Sequence, residues 1–355
     1  MEQQITGLLA QIVHPESGVD IVESGIVESV KASGDKITVT LTFAKSRDPF
    51  AAKIKRQVQD VVAESFPTAA VTVVVREAAP RQTIQQEQFT TTGQITRTIA
   101  VASGKGGVGK STVTANLAVA LHKMGYRVGV LDADIYGPSQ PRMFGVEGYV
   151  PDAAEDEEGH TLIVPAVADG AAEGLEVMSI GFFIKPDDAL MWRGAMAVNA
   201  LKQMIHQTAW GKLDFLLIDL PPGTGDIHLS IIQELKIDAA VIVSTPQQIA
   251  VADVMRGVKM FLHPQVSIPV AGIIENMAWF TPEELPDNRY YIFGCGGAER
   301  YAKENGIDLL GQIPIIQSVM EGSEDGHPAS GYDVRVAEYY SDVAEKLVKK
   351  VSKSC

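Results

Sequence analysis

Cysteine is almost absent from this chain, and so is any excess of basic charge. Only Cys295 and Cys355 occur among 355 residues. They lie far apart in sequence and make no disulfide framework, which fits a reducing cytosol. Lysine and arginine number 30 against 44 aspartates and glutamates, a formal net charge of -14. A surface of that sign repels nucleic-acid phosphates and anionic lipid, which argues against broad binding to either and leaves only a local basic patch open. No uninterrupted apolar run approaches the ~20 residues that span a bilayer. The opening MEQQITGLLAQIVHPESG lacks the basic n-region, long apolar stretch and small-residue cleavage site of a secretory leader. These absences lead to the expectation of a soluble cytoplasmic protein with no nucleic-acid partner and no stable membrane association.

What is present is a hydrophobic content of 46%, enough for a real core in a large α/β domain plus a small one. Residues 1–78 read as the small unit: a helix near 3–13, strands IVESV and KITVTLTF joined by a Ser33-Gly34-Asp35 hairpin turn, a helix over about 49–65, then the strand AVTVVV. Residues 79–96, rich in Gln and Thr and without apolar periodicity, read as a linker. Over 97–355, continuous apolar strands (TIAVAS, RVGVLDAD, DFLLIDL, AAVIVST, VAGIIEN) alternate with helical segments. That pattern implies a doubly wound, mostly parallel sheet with ligands at the carboxyl ends of its strands. The acidic stretch 152–158 reads as a solvated loop. Val336, Tyr340, Val343 and Leu347 fall at helical spacing, as in a terminal helix docked on the core.

The run Gly104-Lys105-Gly106-Gly107-Val108-Gly109-Lys110-Ser111-Thr112 follows one such strand and opens a helix. Glycines let successive backbone N–H groups converge on a phosphate, at the positive end of the helix dipole. Lys110 then answers the β- and γ-oxygens of ATP, Ser111 holds Mg²⁺, and Thr112 is placed for the α-phosphate. Two acidic strand ends join this loop. In Leu131-Asp132-Ala133-Asp134 a carboxylate can orient a water near the γ-phosphate, although a strand-terminal aspartate can also merely cap a helix. In Phe215-Leu216-Leu217-Ile218-Asp219, Asp219 ends a strand too apolar to carry an acid without a cation or donors nearby. It reads as the Mg²⁺-side carboxylate, followed at Gly223 by a loop able to respond to the γ-phosphate.

The additional lysine, Lys105, makes the loop resemble the deviant P-loop ATPases, the group of MinD, ParA and nitrogenase iron protein. The resemblance implies a homodimer in which Lys105 reaches the partner's nucleotide, Lys105, Lys110 and Asp134 are the catalytic set, and Asn276 contacts adenine. VASGKGGVGKSTVTANLAVAL, LDADIYGPSQPRMFG, MWRGAM, DFLLIDLPPGTGD, STPQQIAVADV, GIIENMAWF and IFGCGGAERYA narrow it further. They look like the Mrp/ApbC family, whose members are regarded as iron–sulfur cluster carriers, and HPESGVDIVESGIV resembles the small iron–sulfur assembly domain that often precedes such ATPases. Apo iron–sulfur proteins or assembly factors are the partners this implies.

The chain departs from that family where cluster chemistry would need soft thiolates. The interval 278–291, where Mrp ATPases usually carry a Cys-x-x-Cys pair, contains no cysteine, and Asp48 stands where the small domain usually has one. Cys295 is left as a candidate cluster ligand, one per subunit, or else as a small buried thiol in a glycine turn. Cys355, histidines or carboxylates would have to complete the set. Glu283, Glu284 and Asp287 are candidates for a hard cation or simply a solvated acidic loop. The leading expectation is an ATP-hydrolysing iron–sulfur cluster carrier. The alternatives are an ATP-switched adaptor that has lost its cluster and a MinD- or ParA-like positioning ATPase.

Overall fold

The computed structural model describes residues 2–10, 12, 15, 20–22, 24, 26–33, 36–43, 50–66, 69–77, 95–135, 137–156, 159–183, 194–223 and 226–352. Asp48, Tyr136, Cys355, most of the expected linker and Met191–Arg193 of the MWRGAM stretch lie outside those residues. The chain divides into two units, Met1–Gln88 and Phe89–Cys355.

The smaller unit runs α1 (Glu2–Leu9), β1 (Val27–Ser33), β2 (Lys36–Phe43), α2 (Ala51–Ser65) and β3 (Ala70–Glu77). β1 and β2 form the antiparallel hairpin expected from the Ser33 turn, with Ser33 opposite Lys36. β3 then lies parallel to β2, as a helical crossover requires. Alternate residues Ile37, Val39 and Leu41 are buried beneath Ile54, Val58 and Val62, which recur every four residues on α2. The first helix ends at Leu9, short of the expected boundary, because Ile12 turns away and accepts a hydrogen bond from the Ile21 N–H at 2.9 Å.

In the larger unit the order is β4 (Ile95–Ala102), α3 (Lys110–Lys123), β5 (Val128–Asp132), α4 (Gln140–Met143), β6 (Ala153–Glu155), β7 (Thr161–Ile163), β8 (Ala166–Val167), β9 (Glu176–Ser179), α5 (Gly194–Gln207) and β10 (Leu213–Asp219). It continues through α6 (Asp226–Glu234), β11 (Ala239–Ser244), α7 (Gln248–Phe261), β12 (Val270–Phe280), α8 (Gly297–Glu304), β13 (Leu309–Ile315), α9 (Gln317–Asp325) and α10 (Val334–Ser352). Eight strands form one sheet in the order β13-β12-β11-β4-β10-β5-β9-β8. Every neighbouring pair is parallel except β8 with β9. All residues of β5 and β11 are buried, which is why those strands read as unbroken apolar runs.

Two cores result, one on each face. α3 and α10 close the first, and α5, α6, α7 and α8 close the second. On α10, Val336, Tyr340, Val343 and Leu347 are each fully buried, as their spacing required. The acidic stretch is more ordered than a plain loop: β6 pairs antiparallel with β7, and Asp156 in the intervening turn accepts from the His160 N–H at 2.8 Å. Among the described residues, no helix is long and apolar enough to cross a membrane.

The chain leaves β4 to reach β5, returns to β10 between them, and only then builds β11 on the other side of β4. The reversal opens a crevice at the carboxyl end of β4, the place where ligands bind in such sheets. Since α10 closes one face of this sheet, Leu347→Ala should cost about 2–5 kcal/mol of unfolding free energy, read by chemical denaturation. A loss below ~1 kcal/mol would show that the helix does not hold the core together.

Candidate active site

The crevice at β4 is occupied by the glycine-rich loop. Gly107 and Gly109 both adopt φ of +79°, in the left-handed region, and Gly109 caps α3. A Cβ on Gly109 would overlap the Asn276 amide, and one on Gly104 would overlap the Asp253 backbone, so each glycine permits a close approach as well as a turn. The Ser103 hydroxyl donates to the Lys105 carbonyl at 3.0 Å, while the Gly223 N–H donates to the Ser103 carbonyl at 3.0 Å. The loop after β10 is thereby pinned to the phosphate loop. Ser111 and Thr112, in the first turn of α3, are half-buried.

Asp219 has no exposed surface and Lys110 only 6%, and their ammonium and carboxylate meet at 2.5 Å. The same Asp219 oxygen accepts from the Thr114 hydroxyl at 3.1 Å, and its other oxygen accepts from Gln140 Nε2 at 2.9 Å. Lys110 Nζ also lies 3.2 Å from Ser111 Oγ. Gln140 Nε2 donates in addition to the Ser111 carbonyl at 3.1 Å.

Asp132 sits beside Asp219 in the parallel register of β5 and β10. Its carboxylate accepts from the backbone N–H groups of Asp134 at 3.1 Å, Ser139 at 3.0 Å and Gln140 at 3.1 Å, and from the Ser179 hydroxyl at 3.0 Å. Burial, followed by the neighbouring Asp219 charge, raises its pKa to about 7, against the lowering effect of those backbone donors and Lys110. Asp134 follows in the same turn and is 8% exposed. Of the two carboxylates in that motif, Asp132 anchors the turn and Asp134 is carried by it.

On the opposite side of β4, Lys105 Nζ donates to Gln247 Oε1 of its own chain at 3.3 Å. Asn276, on β12, is 7% exposed and donates to the Val108 carbonyl at 2.9 Å, inside the phosphate loop. The next residue, Met277, has a φ of +56°, an uncommon conformation for a side chain of its size and one that clusters at functional sites. The preceding residue, Glu275, is fully buried and accepts from the Ala298 N–H at 2.7 Å and Gln312 Nε2 at 2.8 Å, so it ties the start of α8 to β12.

Cys295 stands in the turn before α8 and is exposed, which corrects the reading of it as a small buried thiol. Gly294 and Gly296 have positive φ and turn the chain outward on both sides of it. Glu283, Glu284 and Asp287 are exposed too, and Glu283 pairs with Arg335 at 3.6 Å. Among the described residues, no group of three or more His, Cys, Asp or Glu side chains could hold a metal ion.

The set around Asp219 nonetheless suits a hard divalent cation held together with a nucleotide. The Ser111 hydroxyl and the Asp219 carboxylate are oxygen donors, and a site shared with phosphates needs only one or two protein ligands. The Lys110 ammonium already lies within reach of both, as a stand-in positive charge. Gln140 Oε1 is buried without a hydrogen-bond partner among the described residues, a polar atom suited to a donor brought by a hydrated ion. Sequence reasoning placed the phosphate loop and both strand-end acids but missed Asp132, Gln140, Thr114 and Gln247 as parts of the site. All four were within its quoted motifs, yet a spacing pattern does not reveal which side chain turns inward.

Two family models match the chain. Residues 94–348 match that of the NUBPL iron-transfer P-loop NTPase, and residues 2–75 that of an iron–sulfur cluster assembly protein. The chain is 37% identical to the iron–sulfur cluster carrier protein of Synechocystis over 97% of its own length and 96% of that protein. It is 46% identical to the iron–sulfur cluster carrier protein of Aquifex aeolicus over 71% of its length and 67% of that protein. Among solved structures, a nucleotide-binding protein from Archaeoglobus fulgidus in complex with ADP superposes with a TM-score of 0.61 at 38% identity, covering 73% of this chain and 98% of that one.

The buried ion pair has a measurable consequence. In nucleotide-free protein, Asp219→Ala leaves the Lys110 ammonium buried without a counter-charge and should cost about 3–5 kcal/mol in denaturant unfolding. Lys105→Ala removes one partly exposed hydrogen bond and should cost no more than about 1.5 kcal/mol. Equal losses for the two variants would contradict the central place given to the Lys110–Asp219 pair.

Proposed function

This chain belongs to the NUBPL iron-transfer P-loop NTPase family, and on that premise we propose that it is an ATP-hydrolysing carrier of iron–sulfur clusters that works as a homodimer. The observation that carries the nucleotide half is the Lys110 ammonium lodged between Asp219 and Ser111 under the glycine loop. Those three groups are what a nucleotide–cation pair needs, held together before it arrives.

Backbone N–H groups of Gly106–Lys110 cradle the phosphates, and Lys110 exchanges Asp219 for the β- and γ-oxygens. Ser111 and Asp219 are then the protein ligands of Mg²⁺, which supplies neutralisation of the charge that develops on the transferring phosphoryl group. Thr112 contacts the α-phosphate. Asp134 orients the attacking water, and Gly223, bonded to Ser103, relays the state of the γ-phosphate to the loop beyond β10. Asn276 answers the adenine while its amide holds Val108. Lys105 leaves Gln247 to reach the nucleotide of the second chain, which makes hydrolysis depend on the dimer.

For the cargo, the support is the family and the relatives named iron–sulfur cluster carrier protein. Cys295 is the thiolate in position to bind a cluster, since it is exposed on a glycine turn. Paired across two chains it gives two thiolates, so Cys355 or non-thiolate ligands complete the cluster. Apo iron–sulfur proteins and assembly factors are the recipients. The missing cysteines in 278–291 favour one second reading, an ATP-switched adaptor that holds a protein partner without a cluster.

Anaerobic reconstitution separates the two. The carrier should take up iron and labile sulfide and activate an apo-protein, and Cys295→Ser should lose most of both. A wild type that binds neither iron nor sulfide, yet still closes with ATP, would leave the adaptor. On the nucleotide side, Lys110→Ala should abolish nucleotide binding, whereas Asp134→Ala should lower kcat by about 100-fold or more with binding retained. Turnover like the wild type's in both variants would overturn the assignment.

A further inference from the structure

Gln140 is the first residue of α4 and has no exposed surface, an expensive place for a side-chain amide unless its polar atoms are used. Its Nε2 is used twice, on Asp219 Oδ2 and on the Ser111 carbonyl. Its backbone N–H is used on Asp132 Oδ2. Its Oε1 is buried and has no hydrogen-bond partner among the described residues. One residue thus touches both proposed cation ligands through its side chain and, through its backbone, the carboxylate that also holds the Asp134 N–H.

From this juxtaposition we propose that Gln140 is a positioning residue for the cation-bound nucleotide, coupling the ligands Ser111 and Asp219 to the turn that carries Asp134. The inference rests on reading Ser111 and Asp219 as the Mg²⁺ ligands. By holding Oδ2, the Gln140 amide fixes the rotation of the Asp219 carboxylate. Oδ1, bonded to Lys110 and Thr114, is then the oxygen left for the cation once Lys110 turns to phosphate. Because the Gln140 N–H also donates to Asp132, one residue joins the Asp219 carboxylate to the carboxylate that holds the Asp134 and Ser139 N–H groups. An apolar residue of equal size would fill the same space and transmit nothing. The donor missing at Oε1 is of the kind that a hydrated divalent cation brings with it.

The test uses the full chain with Gln140→Leu and Gln140→Met, two apolar replacements of similar volume, so that one folded variant suffices. ADP affinity is measured by calorimetry in EDTA and again in saturating Mg²⁺, and the ratio is the gain due to the cation. We expect that gain to fall by about 10- to 100-fold in the variants, the size seen when a residue orienting a metal ligand is removed. Affinity in EDTA should stay within about threefold of the wild type's. An unchanged gain, or a loss in EDTA as large as that in Mg²⁺, would overturn the proposal, the second outcome marking Gln140 as a packing residue. A wild type whose ADP affinity ignores Mg²⁺ would remove the cation reading of Ser111 and Asp219, and this inference with it.

Discussion

A buried carboxylate at the end of a strand must be neutralised or compensated, and in this chain the compensation organises everything around it. Asp219 meets that constraint with Lys110, Thr114 and Gln140, contributed by the start of α3, its second turn and the start of α4. The ion pair therefore fixes how α3 leaves the phosphate loop and where the chain re-enters after β5. It also places two acids, Asp132 and Asp219, side by side on adjacent strands, where burial first and then the Asp219 charge push the pKa of Asp132 up. Backbone donors meet the Asp132 charge without bringing a second cation into the core.

In the proposed mechanism, nucleotide binding is an exchange of partners. Lys110 has a carboxylate before it has a phosphate, so part of the attraction for the nucleotide offsets the loss of that pair. On the same proposal, a cation taken up with the nucleotide would restore the balance at Asp219 and make cation and nucleotide mutually dependent. In the proposed dimer Lys105 follows the same logic, because it gives up its hydrogen bond to Gln247 when it serves the second chain.

The fold was largely legible because parallel strands buried on both faces leave an unmistakable record. TIAVAS, DFLLIDL and AAVIVST each hold an unbroken apolar run of four or five residues, and the helices between them follow from chirality and connection length. The hairpin at Ser33 and the stripe on α10 were readable for the same reason, since periodicity reports burial. The end of α1 was not, because it depends on a contact between Ile12 and Ile21 that no local pattern encodes. Nor was the strand character of Ala153–Glu155, where charge outweighs any apolar alternation. Within the site, glycines and strand-end acids announce themselves by type and spacing. Gln140, Gln247 and Thr114 are common residues in ordinary positions, and only three-dimensional placement gives them roles. Cys295 shows the converse: the glycine turn was plain in the sequence, while its exposure was decided by the positive φ of the glycines beside it.

The tie between Glu275 and the start of α8 bears on how far a change at the nucleotide travels. Glu275 and Asn276 are consecutive on one strand; the first is saturated by Ala298 and Gln312, and the second grips the phosphate loop at Val108. Glu275 and Asn276 reach out from β12 like two arms. One arm rests on the loop that feels the phosphates, and the other on the helix that begins just beyond Cys295. The exposed thiol thus stands three residues before a backbone N–H that Glu275 holds, and the residue after Glu275 grips the phosphate loop.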